Sequence, residues 1–237
     1  MNKTTFIIYF EREGRENLTQ VLRALKKALT KRPELRSLKI VMLTANGEGP
    51  ALAYARLADF EPHVIAVTFP PGYSVKRGEE IVKPEIPEKL RIFFQAVGFK
   101  IITARLPFDP IANADHHNAD MRLIQNVLRM FGGGFHLCVQ AVLSACDHGE
   151  LALGERVIAV TGDIAAIITA STTEKFLSAA EGLAINEILC KPRNLTLTRK
   201  EVASTEGKPT IAEHPRDRVI DMPALPESKR ATKKPVG

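Results

Sequence analysis

Residues 38–69 read LKIVMLTANGEGPALAYARLADFEPHVIAVTF. The first seven are a strand-like apolar run, and residues 45–50 (ANGEGP) punctuate it. Pro50 suits a first helical turn, because it has no N–H to leave unpaired. Residues 51–58 (ALAYARLA) then read as helix, and residues 63–69 (HVIAVTF) as the next strand. Strand, helix, strand is the unit from which parallel sheets are built.

The same alternation extends in both directions. Upstream, residues 6–10 (FIIYF) form a short apolar run of strand type. Leu18, Val21, Leu22, Leu25 and Leu29 then recur at helical spacing. Downstream, residues 70–80 (PPGYSVKRGEE) read as a loop, residues 85–97 as a helix ended by Gly98, and residues 99–103 (FKIIT) as a strand. Residues 104–120 (ARLPFDPIANADHHNAD) are long and irregular, as functional loops often are. A helix follows, with Met121, Ile124, Leu128 and Phe131 on one face. Gly132, Gly133 and Gly134 break it, and a second apolar helix runs to Asp147. Residues 156–161 (RVIAVT) are a strand, Gly162 and Asp163 a tight turn, and residues 164–170 (IAAIITA) its antiparallel partner. A short helix is expected near 174–181, before a last strand at 185–191 (INEILCK). The pattern predicts an α/β fold of three α/β/α layers with a mainly parallel sheet, right-handed crossovers placing helices on both faces. Residues 1–198 form the expected domain. Residues 199–237, with five prolines and many charges, read as a mobile tail.

Composition sets limits on function. The 237 residues are 45% hydrophobic and 25% charged, the ordinary globular balance. No run approaches the roughly 20 apolar residues of a membrane span, and the N-terminus lacks a secretory apolar stretch. Three widely spaced cysteines suit a reducing cytosol, so a cytoplasmic location is expected. The net charge is +6, and residues 199–237 carry nine basic and six acidic side chains, half of that excess. With no dense basic stripe, neither a nucleic-acid nor a membrane partner is expected. Apolar helices such as residues 137–146 can pack within a subunit or across a homo-oligomer.

In open α/β sheets ligands sit beyond the carboxyl ends of the strands. That singles out residues 44–49, 68–73, 104–120 and 161–163. The first loop, Thr44, Ala45, Asn46, Gly47, Glu48 and Gly49, has two glycines before a helix, an arrangement that suits either an anion or an ordinary strand–helix turn. It is neither a Walker A nor a GxGxxG sequence. Residues 68–73 (TFPPGY) place Tyr73 beside Pro and Gly, a flat wall for a ring or a rigid turn. Cys138 lies early in its helix, where the helix field lowers a thiol pKa, but a buried small residue is the simpler reading. Gln140 either points into a cleft or caps a loop. Asp115, His116 and His117 spell the DHH of metal phosphoesterases, but a metal site needs more convergent ligands. No metal site is assigned.

Four stretches, in this order and spacing, resemble the stand-alone family related to the C-terminal α/β domain of pyruvate kinase. They are Tyr9 and Phe10 with residues 14–17 (GREN), residues 40–69, residues 131–151 (FGGGFHLCVQAVLSACDHGEL), and residues 157–162 (VIAVTG) with 186–193 (NEILCKPR). The resemblance covers residues 5–196. It implies the α/β/α domain without pyruvate kinase's catalytic barrel, so phosphotransfer is not implied. It also implies a flavin mononucleotide, or another phosphorylated small molecule, at the strand ends. By that likeness Thr44, Asn46 and Gly47 lie near the phosphate, and Thr68, Gly72 and Tyr73 near the ring or ribityl chain. Cys138 and Gln140 line the other side. This chain departs from the family at Glu48, where a basic residue is usual. It departs again at Thr161 and Gly162, which lead directly into the next strand where the family has a longer glycine- and arginine-containing loop. The functions to be weighed are a flavin-binding protein, a non-catalytic ligand sensor, and a DHH-type metal phosphoesterase. No catalytic residue is assigned.

Overall fold

Strands buried on both faces must be apolar throughout, whereas edge strands can be mixed. That rule orders the sheet of this protein. A computed structural model gives the fold and describes residues 6–77, 80–109, 115–196 and 198. Strands β2 (Ile40–Leu43), β3 (Val64–Thr68), β7 (Arg156–Val160) and β8 (Ala165–Thr169) are nearly continuous apolar runs and fill the centre. Strands β1 (Ile8–Arg12) and β6 (Lys100–Thr103) are mostly exposed or half-buried, each with a single buried residue, and form the edges. With β9 (Ala184–Asn194), the order is β1-β9-β8-β7-β2-β3-β6. All neighbouring pairs are parallel except the two made by β8, which is antiparallel to both β7 and β9. The fold is therefore mixed α/β with a mostly parallel seven-stranded sheet.

Alternating residues of each strand divide the core in two. Ile40, Met42, Ile158, Val160 and Ile167 pack with α1 (Leu18–Lys31), α2 (Glu48–Leu57) and α3 (Glu88–Ala96). Val41, Ile65, Val67, Val157 and Ile168 pack with α5 (Phe135–Asp147), and α4 (Asp115–Arg129) adds Met121, Ile124 and Leu128 to that side. No helix among the described residues is long and apolar enough to cross a membrane.

Three local expectations are corrected. Residues 70–80 are not all loop: β4 (Val75–Arg77) pairs antiparallel with β5 (Glu80–Val82). Residues 174–181 are not helical but a chain of turns, closed by Ser178 N–H to Lys175 C=O and Gly182 N–H to Ser178 C=O. Asp115 begins α4 rather than standing on a loop. The expected tail at 199–237 lies outside the described residues.

The turn between β2 and α2 is as tightly specified as the core. Gly47 has φ +85°, and a Cβ there would stand 3.1 Å from both Ile86 and Leu90. Side chains are strained at that φ, and these neighbours leave no slack. Gly47→Val should therefore cost about 2–4 kcal/mol. Urea denaturation would register this as a lower midpoint with an unchanged slope.

Candidate functional site

The chain passes from β2 through α2 on one face to β3, and later returns through α5 on the other face to β7. Because β3 and β7 flank β2 on opposite sides, the connections diverge at the carboxyl ends of β2 and β7, the topological switch point where open α/β sheets bind ligands. The expected residues distribute unevenly around it.

On the α2 side the loop caps itself. Gly47 N–H donates to Thr44 Oγ1 at 2.9 Å, and Glu48 N–H donates to Asn46 Oδ1 at 3.1 Å. Two of the four free N–H groups at the start of α2 are thus already held by side chains. Ala45, Asn46 and Glu48 are half-buried, and Gly49 is buried against Met42. The pairing Leu43↔Val67, continued by the bond from Thr44 N–H to Val67 C=O, sets Thr44 beside Thr68; Thr68 in turn pairs with Thr103. Three hydroxyl-bearing residues therefore stand in register across the strand ends. Thr68 is 1% exposed, and its Oγ1 has no hydrogen-bond partner.

Past β3, the Phe69 and Tyr73 rings stack at 4.7 Å between centroids, and both are half-buried. Gly72, exposed at φ +79°, makes the turn between them possible. Tyr73 O–H donates to Asp109 Oδ2 at 2.8 Å, tying this loop to the one after β6. Burial, and then that bond, push the Tyr73 phenol up to about 12. Burial also raises Asp109, against the stabilising bond from Tyr73.

The β7 side is packed by the protein itself. Thr161 N–H donates to Ile164 C=O across the Gly162–Asp163 turn. Gly162 lies against Arg15, so that a Cβ would come within 2.8 Å of the Arg15 Cα. Cys138 is fully buried, with its thiol 3.8 Å from Thr161 Oγ1. Burial raises its pKa, overriding the lowering expected from its place near the helix start. Gln140 is also fully buried, and its Oε1 accepts the Phe108 N–H at 2.7 Å. The structure thus gathers Thr44, Asn46, Thr68 and Tyr73 at the strand ends, Thr44 and Thr68 buried there, whereas Cys138 and Gln140 belong to the interior of the α5 layer.

No protein-family model matches the chain. The site is therefore read on its own chemistry. Among the described residues no group of three His, Cys, Asp or Glu side chains could hold a metal ion. A groove of about 830 Å³ lies between α1 and β9, where Arg32 meets Glu187 at 2.6 Å, and none of the expected ligand residues lines it.

Two carboxylates organise the rest of these strand ends: Asp163, within the expected segment 161–163, and Glu13, which the sequence reading did not single out. Glu13, 4% exposed, accepts the Gly133 N–H at 3.1 Å and the Thr198 N–H at 2.9 Å, and also takes the Thr198 hydroxyl. Asp163 accepts the Gly14 N–H at 3.1 Å and lies so close to Gly134 that no side chain could replace that hydrogen. For Glu13 the only sequence signal was the glycines themselves, at 14 and 132–134. Burial raises Asp163 to about 6, with Glu13 and Glu16 adding repulsion against the Gly14 bond.

Two predictions follow from these carboxylates. Glu13→Ala strands two backbone N–H groups and should cost about 2–4 kcal/mol. Hydrogen exchange at the Gly133 and Thr198 amides should accelerate, and unchanged exchange would refute the clasp. Asp163 holds its proton more tightly folded than unfolded, so its stabilising contribution is full below pH 4 and fades as pH rises through 6. Asp163→Asn, neutral throughout, should gain about 2 kcal/mol on the parent between pH 4 and 7 in paired denaturation curves.

Proposed function

We propose that this protein binds a small, ring-bearing phosphorylated ligand, flavin mononucleotide being the best-fitting class, over the carboxyl ends of β2, β3 and β6. The observation that carries the reading is the Thr68 hydroxyl. A buried polar atom without a partner costs free energy unless water or a ligand completes it. It stands in register with Thr44 and next in sequence to Phe69, whose ring stacks with that of Tyr73. The stacked pair offers an aromatic face for a flat ring, and the start of α2 supplies a partial positive charge. Thr44 Oγ1 and Asn46 Oδ1 now occupy two α2 amides, and a phosphate would take their place. The likeness of residues 40–69 to the pyruvate kinase C-terminal domain supports the same placement.

A sensor without turnover is the second reading. It is favoured by Cys138, whose buried, un-ionised thiol cannot serve as a nucleophile, and by the Tyr73–Asp109 bond, which would pass a ligand's arrival from one loop to another.

Purified protein should show a flavin absorption spectrum, with flavin mononucleotide released on denaturation, or should take up the added nucleotide with a rise in melting temperature. Thr68→Val and Tyr73→Ala should each weaken that uptake at least tenfold. A colourless protein that neither binds nor is stabilised by flavin mononucleotide would overturn the assignment. Bound flavin that no reductant turns over would favour the sensor.

A further inference from the structure

Helix α5 carries an unexpected polar stripe. His136, Gln140 and Ser144 recur at four-residue spacing and so share one face of the helix. They are 7%, 0% and 2% exposed, on a helix otherwise dominated by buried apolar residues such as Val139, Val142 and Leu143. Each has a polar atom with no hydrogen-bond partner: His136 Nδ1, Gln140 Nε2 and Ser144 Oγ. A fourth such atom, Arg129 Nε, comes from α4. Three such atoms on one helix face, with the Arg129 charge near enough to His136 to act on it, are a concentration that native interiors avoid unless something completes them.

The seam has defined walls. Gln140 on α5 accepts the Phe108 N–H, and Gln125 on α4 donates to the Phe108 C=O at 2.9 Å. Because Phe108 N–H is a donor, the Gln140 atom facing it must be the oxygen, which leaves the amide NH₂ as the orphan. The unfilled set is therefore rich in donors: a guanidinium N–H, an amide NH₂ and a hydroxyl. Burial, together with the neighbouring Arg129 charge, lowers His136 to about 4 against a hydrogen bond with the Gly133 backbone, so the imidazole is neutral and takes up a proton near neutral pH only when a nearby negative charge offsets that cost. A partner for these groups must bring acceptors and negative charge. Eight residues of helix separate His136 from Ser144, roughly 12 Å.

We infer that the α4–α5 seam binds a small elongated oxyanion, a carboxylate or a phosphate ester, held by Arg129 and His136 at one end and by Gln140 and Ser144 along its length. This site lies on the opposite face of the sheet from the α2 layer and stands apart from the proposed flavin position.

The test uses the full chain, titrated with sodium phosphate and, separately, sodium succinate at constant ionic strength. The His136 imidazole resonances and the melting temperature are followed. The expected result is a saturable response to at least one anion, with a rise of a unit or more in the His136 pKa. Arg129→Gln should weaken it at least tenfold. Should that variant fail to fold, Ser144→Ala, which removes a single hydroxyl, should weaken it at least threefold. Thr68→Val, on the α1–α3 side of β3, should leave it unchanged, which separates this site from the flavin position. A response to phosphate alone assigns a phosphate ester, and a response to succinate alone assigns a carboxylate. No saturable response to either anion, or one that persists unaltered in the seam variants, overturns the inference and leaves the orphaned atoms to ordered water.

Discussion

Glu13 is the point on which the carboxyl edge of the sheet depends. Its buried carboxylate joins the end of β1 to the glycine turn before α5 and to Thr198 beyond β9. A carboxylate in so dry a place survives only if its oxygens are filled, and backbone and hydroxyl donors fill them. Asp163 does the same work one turn away, through Gly14. Together the two acids supply the negative charge that the N-terminus of α5 favours. An external anion finds that position already taken, and the buried side-chain atoms left without partners among the described residues are Thr68 Oγ1 at the strand ends and those of Arg129, His136, Gln140 and Ser144 on α4 and α5.

The two helical layers treat polarity differently. The α1–α3 side is sealed by aromatic and aliphatic packing, with Tyr54, Phe93, Phe94 and Phe99 in edge and stacked contacts. It opens to polar groups at the strand ends and in the groove between α1 and β9. The α4–α5 side buries a polar stripe along its length. Helix α4 also exposes Leu123 and Val127, and Met130 just past its end, while Gln125 reaches inward to Phe108. A helix that buries polar groups and exposes apolar ones is poorly held by the hydrophobic effect alone. Its position rests more on what fills the seam than is the case for α1 or α5.

Much of this architecture is legible in the sequence for a plain physical reason. Strands buried on both faces have no polar positions to blur them, so residues 40–43, 64–68, 156–160 and 165–169 announce themselves. The turn at Gly162 and Asp163 is equally clear, because a two-residue hairpin needs such residues. The β4–β5 pair is hidden because Lys76, Arg77 and Glu80 carry no apolar alternation. Residues 174–181 look helical by composition, yet their backbone closes in successive turns around Phe176, whose ring meets Phe108 at 5.3 Å. The site was only half visible. Thr44, Thr68 and Tyr73 follow strands and can be found by position. Glu13 and Thr198 meet across 185 residues of chain, and no local pattern encodes that. Ser144 reads as one more residue of an apolar helix until its burial and missing partner are seen.

The strand order carries a consequence for the order of assembly. β1 opens the described chain, yet its sole ladder is with β9, where Ile8 aligns with Cys190 and Arg12 with Asn194. A ribosome emitting this chain has made the first strand long before its neighbour exists. The wing of β2, β3 and β6 can close early, since each of its pairings spans one helical crossover, whereas the apolar segment around Phe10 must wait for nearly the whole domain. The last strand of the sheet to leave the tunnel is thus the one that releases the first from its exposure.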